Sequence, residues 1–288
     1  PSKELLPIDP STDVPAGYTE SQRGVANGFI REVDIMDTWA TSSLTPQLAG
    51  GWLDDPQKFA KVFPYSLRPQ GQDIIRTWLF STVLRAQQEH GVLPWSDAAI
   101  SGWILDPDRK KMSKSKGNVI DPLDLIYGIS QEDLVKKRTS NLMQEGIATK
   151  IERKTRNQFP KGIDSYGTDA LRMTFYSLAT HTKDISFEMG RLKGYRNFCT
   201  KVWNAARFIN GYSVGNDSFQ SANKTDEWIY EEFVKSKKQI ERNIKDYRLD
   251  YAINEVYEFF WSKFCDVYIE ECKKSGETNN LRPLLKEI

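Results

Sequence analysis

Cysteine is scarce in this sequence. The 288 residues hold three, Cys199, Cys265 and Cys272, odd in number, far apart and in no Cys-x-x-Cys pair. That spacing supports neither a zinc site nor a disulfide framework. It fits a reducing compartment, so a cytoplasmic setting is expected. No run of about 18 apolar residues occurs, which excludes a helical membrane span. No basic-then-apolar leader is visible among the residues present, so they carry no secretory signal. Net charge is almost absent as well, at +1.

What is present is enough for packed cores, with 39% apolar residues and eight tryptophans. The length suggests two domains of about 100–200 residues each. The near-zero net charge hides strong segregation. Residues 109–116 carry +5, residues 136–161 carry +6, and residues 190–209 carry +5 with no acid among them. Such windows suggest a polyanionic partner; solvated faces balanced by acidic neighbours are the alternative.

Residues 1–33 are rich in Pro, Gly, Ser, Thr and Asp and read as loop, with one short strand near Phe29–Val33. A short helix is expected to begin after Asp37 or Thr38. "YSLRPQG" (65–71) reads as a strand ending in a glycine turn. A helix from Asp73 to His90 follows, with Ile75, Trp78, Leu79, Val83 and Ala86 as its apolar stripe and Gly91 at its C-cap. "AAISGWIL" (98–105) reads as another strand, broken by Asp106-Pro107-Asp108. This succession suggests an α/β layer with a parallel sheet. Asp121-Pro122 and Ser130 start two helices. From Thr168 on, the pattern is helical. Leu249, Ile253, Val256, Phe260, Phe264 and Val267 recur at helical spacing. The further aromatics Tyr251, Tyr257, Phe259, Trp261 and Tyr268 read as bundle core, one or two exposed rings being open to base stacking. Residues 211–227 read as a polar linker, and the looser domain junction falls near residue 180.

"KKMSKSKGNVIDPLDL" (110–125) carries chemistry. Lysines are mobile point charges on long stems, and Ser113, Ser115 and the Gly117 backbone add donors. The start of the following helix adds partial positive charge. The stretch suits a triphosphate or a departing pyrophosphate. The Gly-x4-Gly-Lys-Ser/Thr spacing of a Walker loop is absent. A mobile cationic loop accelerates a step only if its contacts strengthen as charge builds on the leaving group.

"KMSKS" (111–115) with Gly117-Asn118 resembles the second signature of the class I aminoacyl-tRNA synthetases. "MDTWATSS" (36–43) and "RPQGQDIIRTW" (68–78) resemble two further elements of that family, in the same order. "KRTSNLMQ…IERKTRNQFPKGIDSYGTDALR" (137–172) and "GYRNFCTKVWNAARF" (194–208) resemble its valine-specific branch. The resemblance implies the second half of a Rossmann-like parallel-sheet catalytic domain over residues 1–180 and part of a helical anticodon-binding bundle over 181–288. It implies ATP, supplied with Mg, and L-valine as substrates, tRNA(Val) as partner, no bound zinc, no membrane and a monomeric parent.

Site roles follow from the same resemblance. Lys114, assisted by Lys111, would stabilise the adenylation transition state, with Ser113 and Ser115 also on ATP. Gly71 and Asp73 would hold the ribose. Trp103 and Ile104 would flank the adenine, and Trp39 and Trp78 would wall the amino-acid pocket, excluding side chains longer than valine's. Lys136, Lys137, Arg138, Arg153, Lys154, Arg156, Arg191, Lys193 and Arg196 would line the tRNA path.

The family's first signature needs two histidines. The chain has only His90 and His181, neither in that context. His90 reads as a helix C-terminal residue facing the dipole. The sequence also opens on Pro-Ser-Lys. A segment of a longer enzyme, inactive alone, is therefore expected. A tRNA-binding module without catalysis is the alternative, and another adenylate-forming protein of the same nucleotide fold is a third.

Overall fold

The computed structural model describes residues 3–34, 36–106, 108–113, 116–140, 142, 145–180, 184–212 and 218–288. His181, Lys114, Ser115 and the middle of the expected 211–227 linker lie outside them. The chain forms two compact units, Pro1–Arg68 with Asp73–Ala98, and Pro69–Gln72 with Ala99–Ile288.

The first unit contains α1 (Thr38–Ser42), α2 (Thr45–Gly50) and α3 (Pro56–Val62). Asp37 caps α1 by accepting from the Trp39 N–H at 3.0 Å, and Asp55 caps α3 through Lys58 N–H at 2.9 Å. Each carboxylate satisfies an amide that the first helical turn leaves unpaired. The strand expected at Phe29–Val33 is reduced to one bridge between Arg23 and Phe29. Its apolar residues Ile30 and Val33 are exposed, so no sheet face holds them.

β1 (Tyr65–Gly71) pairs with β2 (Trp95–Ser101). Between them, the expected Asp73–His90 helix is a composite. A 3-10 turn (Gln72–Ile74) and a π-helical turn (Ile75–Leu79) lead into α4 (Phe80–His90). Gly91 ends α4 at φ +69°, a conformation glycine adopts without strain. His90 sits in an aromatic cage, 5.0–5.4 Å from the ring centres of Trp52, Phe59 and Phe63. That packing, rather than the dipole alone, accounts for it.

In the second unit the strand expected over 98–105 is split. β2 ends at Ser101, and β3 (Ile104–Leu105) resumes after Gly102-Trp103. β3 pairs in parallel with β4 (Ile185–Ser186), Ile104 opposite Ile185 and Leu105 opposite Ser186. The expected parallel pairing is therefore present, in short strands. The helices are α5 (Pro122–Tyr127), α6 (Gln131–Thr139), α7 (Ala148–Gln158), α8 (Thr168–Leu178) and α9 (Met189–Asn210). They continue as α10 (Lys224–Lys245), α11 (Leu249–Tyr257), α12 (Glu270–Ser275) and α13 (Leu281–Glu287). Asp121, Ser130 and Asn223 cap α5, α6 and α10.

Two apolar cores fill this unit. One gathers Ile120, Leu125, Leu134, Phe159, Leu171 and Leu192 around α5–α9, and the other gathers Phe198, Ile229, Phe260, Phe264 and Tyr268 in the bundle. Met173 and Tyr257 pack against both.

A π-helical stretch, Glu258–Ile269, joins α11 to α12. More residues per turn keep a four-residue step on one face, so Phe260, Phe264, Tyr268 and Cys272 are all buried. Val267, expected in the stripe from α-helical spacing, is 42% exposed for the same reason. Phe259 and Tyr268 are core as expected, and Tyr251 is exposed beneath the Arg248 guanidinium at 3.7 Å.

Candidate functional site

The lysine stretch hangs from the end of β3. Leu105 bridges Lys111 in antiparallel fashion, and Asp106 N–H donates to Lys110 O at 2.9 Å. Arg109, at φ +59°, turns the chain between them. Lys111 Nζ lies 4.2 Å from the centre of the Trp103 ring, a cation–π contact. Trp103 is itself fixed, its N–H donating to Asp184 Oδ1 at 2.8 Å and its carbonyl accepting from Ile185 N–H at 2.7 Å. Of the expected nucleotide residues, Lys111 and Trp103 are thus brought together. Ile104, on β3, is 40% exposed.

Asp106 and Asn118 organise the base of the loop. Asp106 is only 3% exposed; it accepts from Lys110 N–H at 2.8 Å and from Asn118 Nδ2 at 2.9 Å. Burial works to raise its pKa. The Asn118 amide, the Lys110 N–H and the Lys154 charge outweigh that and hold it below the usual carboxylate value. Asn118 Oδ1 in turn accepts from Ser113 N–H at 2.9 Å. The sequence displays Asn118 only as part of a Gly-Asn pair, with no sign that its amide reaches back twelve residues.

The helix start expected at Asp121-Pro122 is present and capped. α5 has six residues, and the Asp121 carboxylate takes Leu123 N–H at 2.9 Å and Lys137 Nζ at 2.7 Å. The positive end of α5 is neutralised by the chain's own side chain. Asp124, in the first turn of α5, pairs with Lys137 at 2.8 Å.

The other expected residues sort by partner. Lys137 bridges Asp121 and Asp124. Burial lowers its pKa, and the two carboxylates more than offset this. Arg138 is buried, with its guanidinium 5.1 Å over Phe159 and Nη1 donating to Thr155 Oγ1 at 3.4 Å. Burial lowers its pKa against the pull of Asp124 and Asp106. Lys154 pairs with Asp108. Arg156 holds Glu132 at 2.5 Å and Glu152 at 2.9 Å. Arg196 donates to the Ser165 carbonyl. Lys136, Arg153, Arg191 and Lys193 are exposed, without ion pairs among the described residues. Sequence windows count charges without their distant partners, which is why so much of the +6 in 136–161 turns out to be used internally.

In the first unit, Trp39 is 37% exposed on α1, and Trp78 Nε1 donates to Ser42 O of the same helix at 2.8 Å. Trp78 is buried between Trp95, stacked at 5.5 Å, and the Arg68 guanidinium at 4.0 Å. Asp73 lies in the turn Gln72–Ile74 of that unit. Gly71, the last residue of β1, belongs to the second unit. No cluster of three or more His, Cys, Asp or Glu side chains among the described residues could hold a metal ion, and no helix there is long and apolar enough to cross a membrane.

Comparison with known proteins bears on the family and the fold of the chain. The family described as tRNA synthetases class I (I, L, M and V) matches residues 14–188, and the anticodon-binding domain of tRNA ligase matches residues 226–288. The valine–tRNA ligase of Coxiella burnetii is 42% identical over 250 residues, covering 84% of this chain and 27% of that protein. That of Xanthomonas campestris pv. campestris (strain B100) is 42% identical over 270 residues, 89% of this chain and 29% of its own. The chain therefore spans under a third of the length of the relatives it matches. Among solved structures, the Agrobacterium radiobacter K84 agnB2 LeuRS–tRNA–LeuAMS ternary complex superposes with a TM-score of 0.61 at 16% identity. It covers 88% of this chain and 29% of that one, and it shows the shared fold.

Proposed function

The chain belongs to the class I tRNA synthetases, and from that premise we propose that it works as the lysine-signature and bundle portion of a valine–tRNA ligase. Within such an enzyme L-valine and ATP, supplied with Mg, give valyl-adenylate and pyrophosphate, and the valyl group then passes to tRNA(Val). Residues 1–180 would serve the catalytic part and 181–288 the tRNA-facing bundle.

The roles follow from chemistry. Lys114 and Lys111 stabilise negative charge as the α–β phosphate bond breaks, with Ser113 and Ser115 donating hydrogen bonds. Such help counts only insofar as it strengthens in the transition state. Gly71 and Asp73 take the ribose, a carboxylate being a natural acceptor for vicinal hydroxyls. Trp103 and Ile104 flank the base. Trp39 and Trp78 bound the amino-acid pocket, where exclusion by clash outperforms the roughly 1–3 kcal/mol that one methylene can provide. Lys136, Arg153, Arg191 and Lys193 are the exposed cations offered to tRNA phosphates.

The observation that carries this reading is the packing of Lys111 on Trp103, which presents the lysine signature at the end of a sheet strand. The test replaces the matching segment of the Coxiella burnetii ligase with this chain and measures valine-dependent ATP–pyrophosphate exchange. Exchange with valine, abolished in its absence, is expected. A swapped enzyme that folds, binds tRNA and exchanges nothing would refute catalysis. It would leave the second reading, a tRNA-binding module, which the four exposed cations favour and salt-dependent tRNA binding would check.

A further inference from the structure

The Asn118 carboxamide uses both of its ends. Its oxygen accepts from Ser113 N–H at 2.9 Å, and its nitrogen donates to Asp106 Oδ2 at 2.9 Å and to Lys111 O at 3.3 Å. Only a group that is acceptor on one side and donor on the other can satisfy an amide N–H and a carboxylate together. Asp106 is a firm anchor, because it follows β3, whose register with β4 is set, and is itself buried. A buried carboxylate without such partners would be costly.

The residue before the amide is equally constrained. Gly117 has φ +59°, and a Cβ there would come within 2.6 Å of Ile151 Cδ1 on α7. The far flank of the segment therefore seats directly on the α7 surface, while the near flank, Lys111–Ser113, is tied by the amide.

We propose that Asn118 is a positioning residue for the lysine signature: it latches Lys111 and Ser113 to Asp106, while Gly117 seats the latch on α7. This rests on the adenylation reading above, since the latch sets where Lys111 starts from when it meets ATP. Asn118 touches no reacting atom in that scheme and acts through the lysines.

Charge around the latch makes the idea separable from plain packing. Asp106 is faced by Asn118, by the Lys110 backbone N–H and by the Lys154 charge, with Asp108 in the same turn and Arg138 from α6. Replacing the amide by a carboxyl, Asn118→Asp, sets two carboxylates together, and one of them then holds its proton to unusually high pH. When protonated, the new carboxyl can donate to Asp106 and still accept from Ser113. When ionised, it repels.

The experiment follows Ser113 amide hydrogen exchange, corrected for the intrinsic rate, in the 288-residue chain. Asn118→Ala is expected to speed exchange about tenfold at every pH, the loss of one partly buried hydrogen bond. Asn118→Asp is expected to lose protection toward about pH 7.5, where repulsion from Asp106 displaces the new carboxylate from Ser113, and to regain it near about pH 5.5. Unchanged exchange in Asn118→Ala, or no recovery in Asn118→Asp, overturns the latch.

In the swapped ligase, Asn118→Ala is expected to lower kcat for adenylation about tenfold and to leave the KM for valine in place. Lost Ser113 protection with unaltered kcat overturns the positioning role. Absent exchange activity with Asn118 in place counts against the adenylation reading and leaves the hydrogen-exchange result standing.

Discussion

The loop base and the bundle of the second unit are held by different physics. At the loop base one carboxamide and one buried carboxylate connect segments twelve residues apart, through bonds of 2.9 Å whose geometry must be right. In the bundle, Phe198, Phe260, Phe264 and Tyr268 interlock by area, and no single contact decides the arrangement. Polar tethers specify position with few atoms; apolar packing supplies stability with many. A reaction that needs one ammonium in one place is suited to the first kind of region, supported by the second.

Substitutions can break this contrast. The largest expected effect is in the bundle: Phe264→Ala empties a fully buried site and should cost about 3–5 kcal/mol in urea unfolding. Adenylation by the folded fraction of the swapped ligase should not change. Next, Lys114→Ala should lower adenylation by about 10²–10³ with the valine KM and the unfolding midpoint unmoved. A loss confined to valine KM would remove the role given to that lysine. Gly117→Ala should cost about 1–3 kcal/mol, since it meets Ile151 and takes a left-handed conformation. Ile151→Ala in the same chain should recover the steric part only.

The smallest effects sharpen the contrast through pH. Burial raises the Cys265 and Cys272 thiols from 9.0 to about 11, and Tyr268 is raised too by burial and by Asp226. These groups favour the fold while protonated. Their contribution is complete below pH 9 and declines as pH climbs toward about 11. Asp106 and Asp121 are lowered, so their contribution is complete above the ordinary carboxylate value and declines as pH falls through the folded one. Hydrogen exchange should therefore show the bundle loosening first in alkali and the loop base first in acid. The reverse order would mean that other groups govern both edges.

The same contrast explains what could be read in advance. Caps at Asp121 and Ser130 were legible because each acts within three residues, while Asn223, inside the stretch read as a linker, caps α10 unforeseen. The aromatic stripe was legible as far as Phe260 and Phe264, inside the π-helical stretch, and failed at Val267, which the changed period carries out of the core. The lysine signature was legible as a family motif, while the amide that ties it was not, since Asn118 meets Asp106 only after the chain turns. Lys137 with Asp121, Arg156 with Glu132 and Lys154 with Asp108 join residues 16, 24 and 46 positions apart. A count of charge within a window cannot see them. In the same way, Gly102-Trp103 divides one apparent strand in two because the Trp103 backbone pairs with Asp184 and Ile185, far along the chain.

Met173 and Tyr257 belong to both apolar clusters of the second unit. No greased seam divides the helix that follows the lysines from the far end of the bundle. Sliding one past the other would uncover both interiors together. The packing of α10 on α11 and of α11 on α8 ties the two interiors into one packed body.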